Sequence, residues 1–285
     1  VTPIVAVPTT AGTGSESTPV CVLDILGLGV KSGISHPRLR PSLAIVDPLT
    51  TLSVPPQVTA AAGVDVLTHA LESYTSRPYD ARPRGQPHER VAYCGANPIS
   101  DVWCERALSL LARSFRRAVH NGHDLEARSD MMLAATFAGL GFGNAGVHVP
   151  HACGYPIAGR VEHYRPEGYP DAPLVPHGQS VGVTAPAAFR FTQPAQPERH
   201  THAAELLGAD VHRARSPRDA LPDALVSLFA DVGQPRGVAA FGYDEADLDT
   251  LVEGALAQQR LLVGAPREVT AEDLRNILLE SMEND

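Results

Sequence analysis

The spacing of apolar positions changes once along the chain, near residue 53. Before that point apolar residues come in short β-branched runs. Residues 4–7 read as a buried strand ending at Pro8, 20–24 and 30–34 as two strands around a Gly27/Gly29 turn, and 43–47 as another stopping at Pro48. After Pro55 and Pro56 the apolar positions recur three and four residues apart, the spacing of one helix face. The pattern predicts helices over 57–62 and, past a break at Gly63, on through Tyr74. Further helices are expected over 100–119, 125–139, 176–191, 197–207, 220–232 and 244–257. Ser216-Pro-Arg-Asp219 and Thr270-Ala-Glu-Asp273 have the capping-box outline and predict two helix starts. The fold class is therefore an α/β amino-terminal part over 1–53 followed by an all-α domain over 54–285. Residues 77–98, rich in Arg, Pro and Gly, read as a long lid-like or mobile loop.

Composition narrows the function classes. A chain of 285 residues with 44% hydrophobic content can bury a large core. Its net charge of −9 is spread through short mixed runs with no basic stripe, which argues against nucleic acid as a partner. No apolar run reaches the ~20 residues that span a bilayer and no signal peptide opens the chain, so an intracellular protein away from membranes is expected. The four cysteines form no Cys-x-x-Cys pair, which suggests neither a disulfide framework nor a thiolate metal site. Val1 stands where a start Met would, directly before a strand, so a chain lacking its amino-terminal part is expected.

Three stretches carry candidate chemistry. Thr9-Thr10-Ala-Gly-Thr13-Gly-Ser15-Glu16 is a small-residue loop after a strand, suited either to cradling a phosphate, ribose or carboxamide or to a plain polar connection. Asp65 and His69, four apart in an apolar helix, stack on one face like half of a divalent-metal site. Composition alone supplies about 0.7 such pairs in a chain with this many Asp and His, so the pair needs completion from elsewhere. His148 and His151 at the entrance of one helix, and His177 before another, offer it. Asp65, His69, one of His148 or His151, and His177 would make an Asp/His₃ set converging across a helical bundle.

Four ordered motifs, PTTAGTGSE at 8–16, GVDVLTHALESY at 63–74, GFGNAGVHVPHACGYPI at 141–157 and VPHG at 175–178, together resemble the iron-containing (group III) alcohol dehydrogenases. That resemblance implies a dehydroquinate synthase-like architecture: an amino-terminal dinucleotide-binding α/β domain, most of which would lie upstream of Val1, and a helical domain with the metal in the cleft between. It implies Asp65, His69, His151 and His177 as ligands, with His148 a supporting or core residue. Tyr155 takes the place of a histidine associated with proton relay and is the candidate catalytic group. Thr9, Thr10, Thr13 and Lys31 fall where the family approaches its cofactor, NAD or NADP. The ion implied is Fe²⁺; the donor set itself would accept Zn²⁺ as well.

The stretches at 96–101, 124–129 and 173–181 look most like transhydrogenase-like members of the family. These pass a hydride from a hydroxyacid such as 4-hydroxybutyrate, through bound NAD, to an oxoacid such as 2-oxoglutarate. Arg77, Arg82 or Arg84 in the long loop would then hold the acid carboxylates, or simply form a solvated basic loop. The alternatives are an ordinary NAD(P)-dependent alcohol dehydrogenase and a non-catalytic metal-binding fragment. The expected partners are small acids and a second copy of the chain, and the expected compartment is the cytoplasm, or the mitochondrial matrix in a eukaryote.

Overall fold

Helix α1 (Pro56–Tyr74) runs through the middle of the molecule and is buried on every side from Thr59 to Tyr74 apart from Ala62. A helix that is apolar all round has to sit inside a protein, and Val64, Val66, Leu67 and Leu71 meet neighbours in every direction. The computed structural model describes residues 2–25, 30–81, 86 and 93–284, with the side chains of 24, 25 and 30–32 outside that description.

Gly63 does not break α1. It lies under the ring of Phe115 from α2 (Pro98–His120), where a β-carbon would overlap the aromatic edge, so the glycine serves close helix packing. The roughly 1 kcal/mol of helix propensity that glycine forfeits is offset by the buried aromatic contact. Helix α3 (Leu125–Ala145) packs on both α1 and α2. The starts of α2 and α3 are set by side-chain caps. Asn97 accepts from the amides of Ile99 and Ser100, both at 3.1 Å, and Asp124 from that of Ala127 at 3.0 Å.

The first 55 residues hold two small ladders. Strand β1 (Val5–Ala6) pairs in parallel with β4 (Leu43–Ala44), and β2 (Val20–Ile25) pairs antiparallel with β3 (Val30–Ser35), as the spacing predicts; the turn at 26–29 lies outside the described residues. The expected burial of the first strand does not hold. Val5 and Leu43 are each 56% exposed, because no helix among the described residues covers this two-stranded ladder.

Helices α4 (Val149–Gly159), α5 (His177–Gly182), α6 (Ala185–Thr192), α7 (Pro197–Leu206), α8 (Ala220–Asp231), α9 (Leu248–Leu256), α10 (Gln259–Leu262) and α11 (Ala271–Glu280) complete the chain. The helix expected over 176–191 is two helices, since Pro186 has no amide hydrogen to return to the Gly182 carbonyl. The side-chain amide of Asn284 donates to the Val183 carbonyl at that break, at 2.8 Å. The outline at 216–219 is a turn, with the Ser216 hydroxyl donating to Asp219 at 2.7 Å, and the helix begins only after Asp219. Thr270 does form its capping box, at the head of α11. The segment before α9 is a 3-10 turn, Glu245–Asp247. Among the described residues no single helix is long and apolar enough to cross a membrane.

Two apolar cores result. One joins α1, α2 and α3 with α6, α7 and α8; the other joins α4 with α9, α10 and α11. His200 on α7 is only 1% exposed in the first core, with Nδ1 2.8 Å from the Gln196 carbonyl and Nε2 2.9 Å from the Thr192 hydroxyl. Burial lowers its imidazole to about 4. The unfolded chain protonates this group below about pH 6.5 while the folded chain resists until about pH 4, so stability is lost as pH falls through that window. Urea titrations at pH 7 and pH 5 should show the native protein losing about 2 kcal/mol more than the His200→Gln variant. Equal losses would show that His200 is not refusing the proton.

Candidate metal centre and its cavity

The two cores meet along a polar seam where α1 faces α4 and α5. Asp65 and His69 point into it from α1, one turn apart. His151 enters from the first turn of α4, and His177 is the first residue of α5. Glycines bring these helices close: a β-carbon on Gly178 would overlap the Ala61 carbonyl of α1, and one on Gly182 would overlap Val64. That approach is what sets His177 against Asp65.

The Nε2 atoms of His69, His151 and His177 each stand 3.7 Å from one atom, Asp65 Oδ1. This is too long for hydrogen bonds, and Asp65 Oδ1 and His151 Nε2 are buried with no hydrogen-bond partner. A buried carboxylate oxygen left this way is costly, and donors held ~2.1 Å from a tetrahedral ion stand roughly 3.4 Å apart. The donor set therefore fits a divalent cation. Asp65, His151 and His177 form the tightest cluster, with ligand atoms all within 4.8 Å of one another. His69 meets Asp65 at the same distance as the others but lies outside that cluster; its ring is stacked on Phe142, centroids 4.0 Å apart. His177 is 38% exposed and stands at the mouth.

Electrostatics agree with the geometry. Burial alone would raise the Asp65 carboxyl, but the imidazoles of His69 and His177 outweigh it and hold the group well below the ordinary carboxylate range. Burial lowers His69 to about 3 despite the nearby Asp65. His151 goes the other way: burial pulls it down, but the Glu72 and Asp65 carboxylates raise it to about 9.

Glu72 explains how His151 is aimed. It is buried on α1 and accepts the backbone amides of His148, at 2.8 Å, and His151, at 3.2 Å, so one carboxylate caps the positive end of α4. Its other oxygen takes the His151 Nδ1 hydrogen in a short contact, which turns Nε2 toward Asp65. His148 is wholly buried and faces away, its Nε2 3.2 Å from the Thr75 hydroxyl; burial lowers it to about 4. The geometry thus separates the two histidines that spacing alone leaves open.

The cluster opens into a cavity of about 380 Å³ whose lining includes Thr13, Phe142, Tyr155 and Arg260. The loop carrying Thr13 is fixed on α3. Gly14, at φ +58°, lies where a β-carbon would come 2.7 Å from Gly139, and buried Glu16 accepts from Thr136 at 2.7 Å. Thr9 and Thr10 are exposed on the same loop and do not line the cavity. Lys31 lies on β3, but its side chain, like Arg82 and Arg84, is outside the described residues. Arg77 does not line the cavity; its backbone bridges Gly264 and Ala96. Sequence spacing also misses Arg260, a lone arginine on a short helix with no motif to mark it.

Residues 88–282 match the C-terminal part of the Fe-containing alcohol dehydrogenase family, and residues 1–48 match the iron-containing alcohol dehydrogenase family. The chain belongs to the iron-containing alcohol dehydrogenase family. It is 50% identical over 286 residues to the mitochondrial hydroxyacid-oxoacid transhydrogenase of Bos taurus, an alignment covering 98% of this chain and 61% of that protein. The Homo sapiens protein of the same name is also 50% identical, with the same coverage. The chain thus spans about 61% of the length of these relatives. In fold it is similar to a 1,3-propanediol oxidoreductase, with a TM-score of 0.83 and 32% identity over 98% of this chain and 66% of the other. It is also similar to the sulfoacetaldehyde reductase of Bifidobacterium kashiwanohense solved with NAD+, with a TM-score of 0.79 and 32% identity over 99% of this chain and 65% of the other. Family membership implies a metal and NAD use, and the donor cluster fits the first of these.

Proposed function

We propose that this chain supplies the metal-binding side of a hydroxyacid-oxoacid transhydrogenase. The observation that carries the reading is the convergence of three imidazole Nε2 atoms on Asp65 Oδ1, each at 3.7 Å, at the wall of a cavity sized for a small acid. The 50% identity to proteins of that name supports the substrate class. Residues 1–53 would belong with the nucleotide-binding side and 54–285 form the helical side, with the division near Ser53.

In this reading Asp65, His69, His151 and His177 hold the ion, Fe²⁺ by family, although the donors themselves bind Zn²⁺ the more tightly. Thr9, Thr10, Thr13 and Lys31 approach the nicotinamide cofactor, NAD or NADP. When bound, the cation polarises the substrate oxygen and the nicotinamide accepts and returns hydride. The protein's own groups orient and exclude water. Phe142 stacked on His69 closes one wall, and Glu72, holding the Nδ1 hydrogen, aims His151 Nε2 at the ion site. Burial raises the Tyr155 phenol, so it stays protonated at neutral pH and can donate its O–H to the substrate oxygen. The compartment in this reading is the cytoplasm, or the mitochondrial matrix in a eukaryote; the names of the relatives carry the word mitochondrial.

The test is a full-length protein assayed for reduction of 2-oxoglutarate by 4-hydroxybutyrate without added nicotinamide, with metal measured on the same sample. Product formation together with bound metal is expected. Absence of both overturns the reading, and turnover only with stoichiometric NAD identifies an ordinary alcohol dehydrogenase of the family.

A further inference from the structure

The metal donors occupy one part of the cavity, and Arg260 stands in another. It is the one side chain with a permanent positive charge among the described residues lining that space. Its guanidinium is held between two features. Nη2 lies 3.5 Å from the Tyr155 hydroxyl, and on its other side is Gly33 of β3, where a β-carbon would come 2.8 Å from Nη2. A glycine at that position leaves room for the head group to lie against the strand.

Some arginines, Arg113 and Arg199 among them, sit on carboxylates, and others, such as Arg128 on the Thr59 hydroxyl and the Val54 carbonyl, do not. Arg260 has no carboxylate within ion-pair distance among the described residues, although it is half-buried in an acidic protein. A guanidinium presents its N–H groups as a planar fork matched to a carboxylate. One tyrosine neighbours both ends of the cavity: the Tyr155 hydroxyl meets Arg260, and the Tyr155 ring stands 6.0 Å from the His177 ring.

We infer that Arg260 binds the carboxylate of both the hydroxyacid and the oxoacid, and so sets the preference of this site for acids over neutral alcohols. The assignment rests on the transhydrogenase reading and gives it a residue. Both half-reactions use one reacting centre, so both acids place their carboxylates at the same guanidinium. Two consequences follow. An unreactive dicarboxylate such as glutarate competes with both substrates, and loss of Arg260 falls on KM for acids more than on kcat.

The experiment compares full-length wild type, Arg260→Met and Arg260→Lys with 4-hydroxybutyrate and with 1-butanol, and measures glutarate binding by calorimetry. Arg260→Met should lose about 100-fold in kcat/KM for the acid and change little for the alcohol, with Arg260→Lys recovering part of the loss. Glutarate binding should disappear in Arg260→Met while bound metal stays at the wild-type level. Equal losses on acid and alcohol, or unchanged glutarate affinity, would overturn the assignment, and Arg260→Lys separates the same outcomes if Arg260→Met does not fold. A wild-type enzyme inert toward both acids would instead overturn the transhydrogenase reading itself.

Discussion

Changing Asp65 to Asn in the full-length enzyme should abolish tight metal binding and lower kcat/KM by about 1,000-fold, the several kcal/mol that a polarising cation contributes to transition-state stabilisation. The side chains have nearly the same shape, so the effect isolates charge. Asp65 Oδ1 is the atom on which three imidazoles converge at 3.7 Å, and it is the only anionic donor in the cluster of Asp65, His151 and His177. Asn leaves a neutral donor set and can turn an amide N–H toward the same point. Metal content by emission spectroscopy reads the first effect and steady-state kinetics the second. Thermal unfolding with and without a chelator adds a readout independent of turnover: wild type should lose stability when the ion is stripped, because a ligand that binds only the folded state stabilises it, while the Asn variant should not respond. A variant that keeps stoichiometric metal would show that Asp65 is not a ligand.

How much of the fold and the site is legible in the sequence varies by element, for physical reasons. Periodicity finds α2 within two residues of its ends because that helix buries one face and exposes the other; it finds the start of α3 but stops six residues short of Ala145, because α3 is buried nearly all round, and cap residues such as Asn97 and Asp124 mark the starts of both. It fails at Gly63, where a local rule about glycine in helices is overridden by a tertiary contact with Phe115 that no local pattern contains. It fails again over 176–191, where apolar spacing runs straight across Pro186. The donor set divides in the same way. Asp65 and His69 are visible because they share a helix face, whereas choosing His151 over His148 depends on Glu72, 79 positions from His151 in sequence and adjacent in space. From spacing, Glu72, one turn on from His69, reads as a helix-face partner and not a ligand. The hint that it does more is its place seven residues after Asp65, on the same face of a helix otherwise apolar. Arg260 offers no hint of that kind, since only folding brings α10 beside Tyr155.

Glu72 should be the second most sensitive position, through a route separate from charge on the ion. One carboxylate accepts two amides at the head of α4 and the Nδ1 hydrogen of His151, so removing it leaves three buried donors unmet. Glu72→Ala should cost about 3–5 kcal/mol of stability, the range for stripping one partner from a buried charged pair. Glu72→Gln is the sharper test, because its carbonyl can still accept the His148 and His151 amides while its NH₂ faces Nδ1. That arrangement favours the tautomer with hydrogen on Nε2, the wrong one for a ligand, and should weaken metal binding about 10–100-fold. The pH dependence separates aiming from mere support. Glu72 and Asp65 raise His151 to about 9 against the opposing effect of burial, so in metal-free protein this pair contributes stability that is whole below about pH 6.5 and is lost as pH rises through about 9. With Gln at 72 that alkaline loss should flatten, and the pH at which metal affinity levels off should move down, since fewer protons compete for His151. A variant that is less stable but keeps the wild-type alkaline profile and metal affinity would confine Glu72 to capping α4.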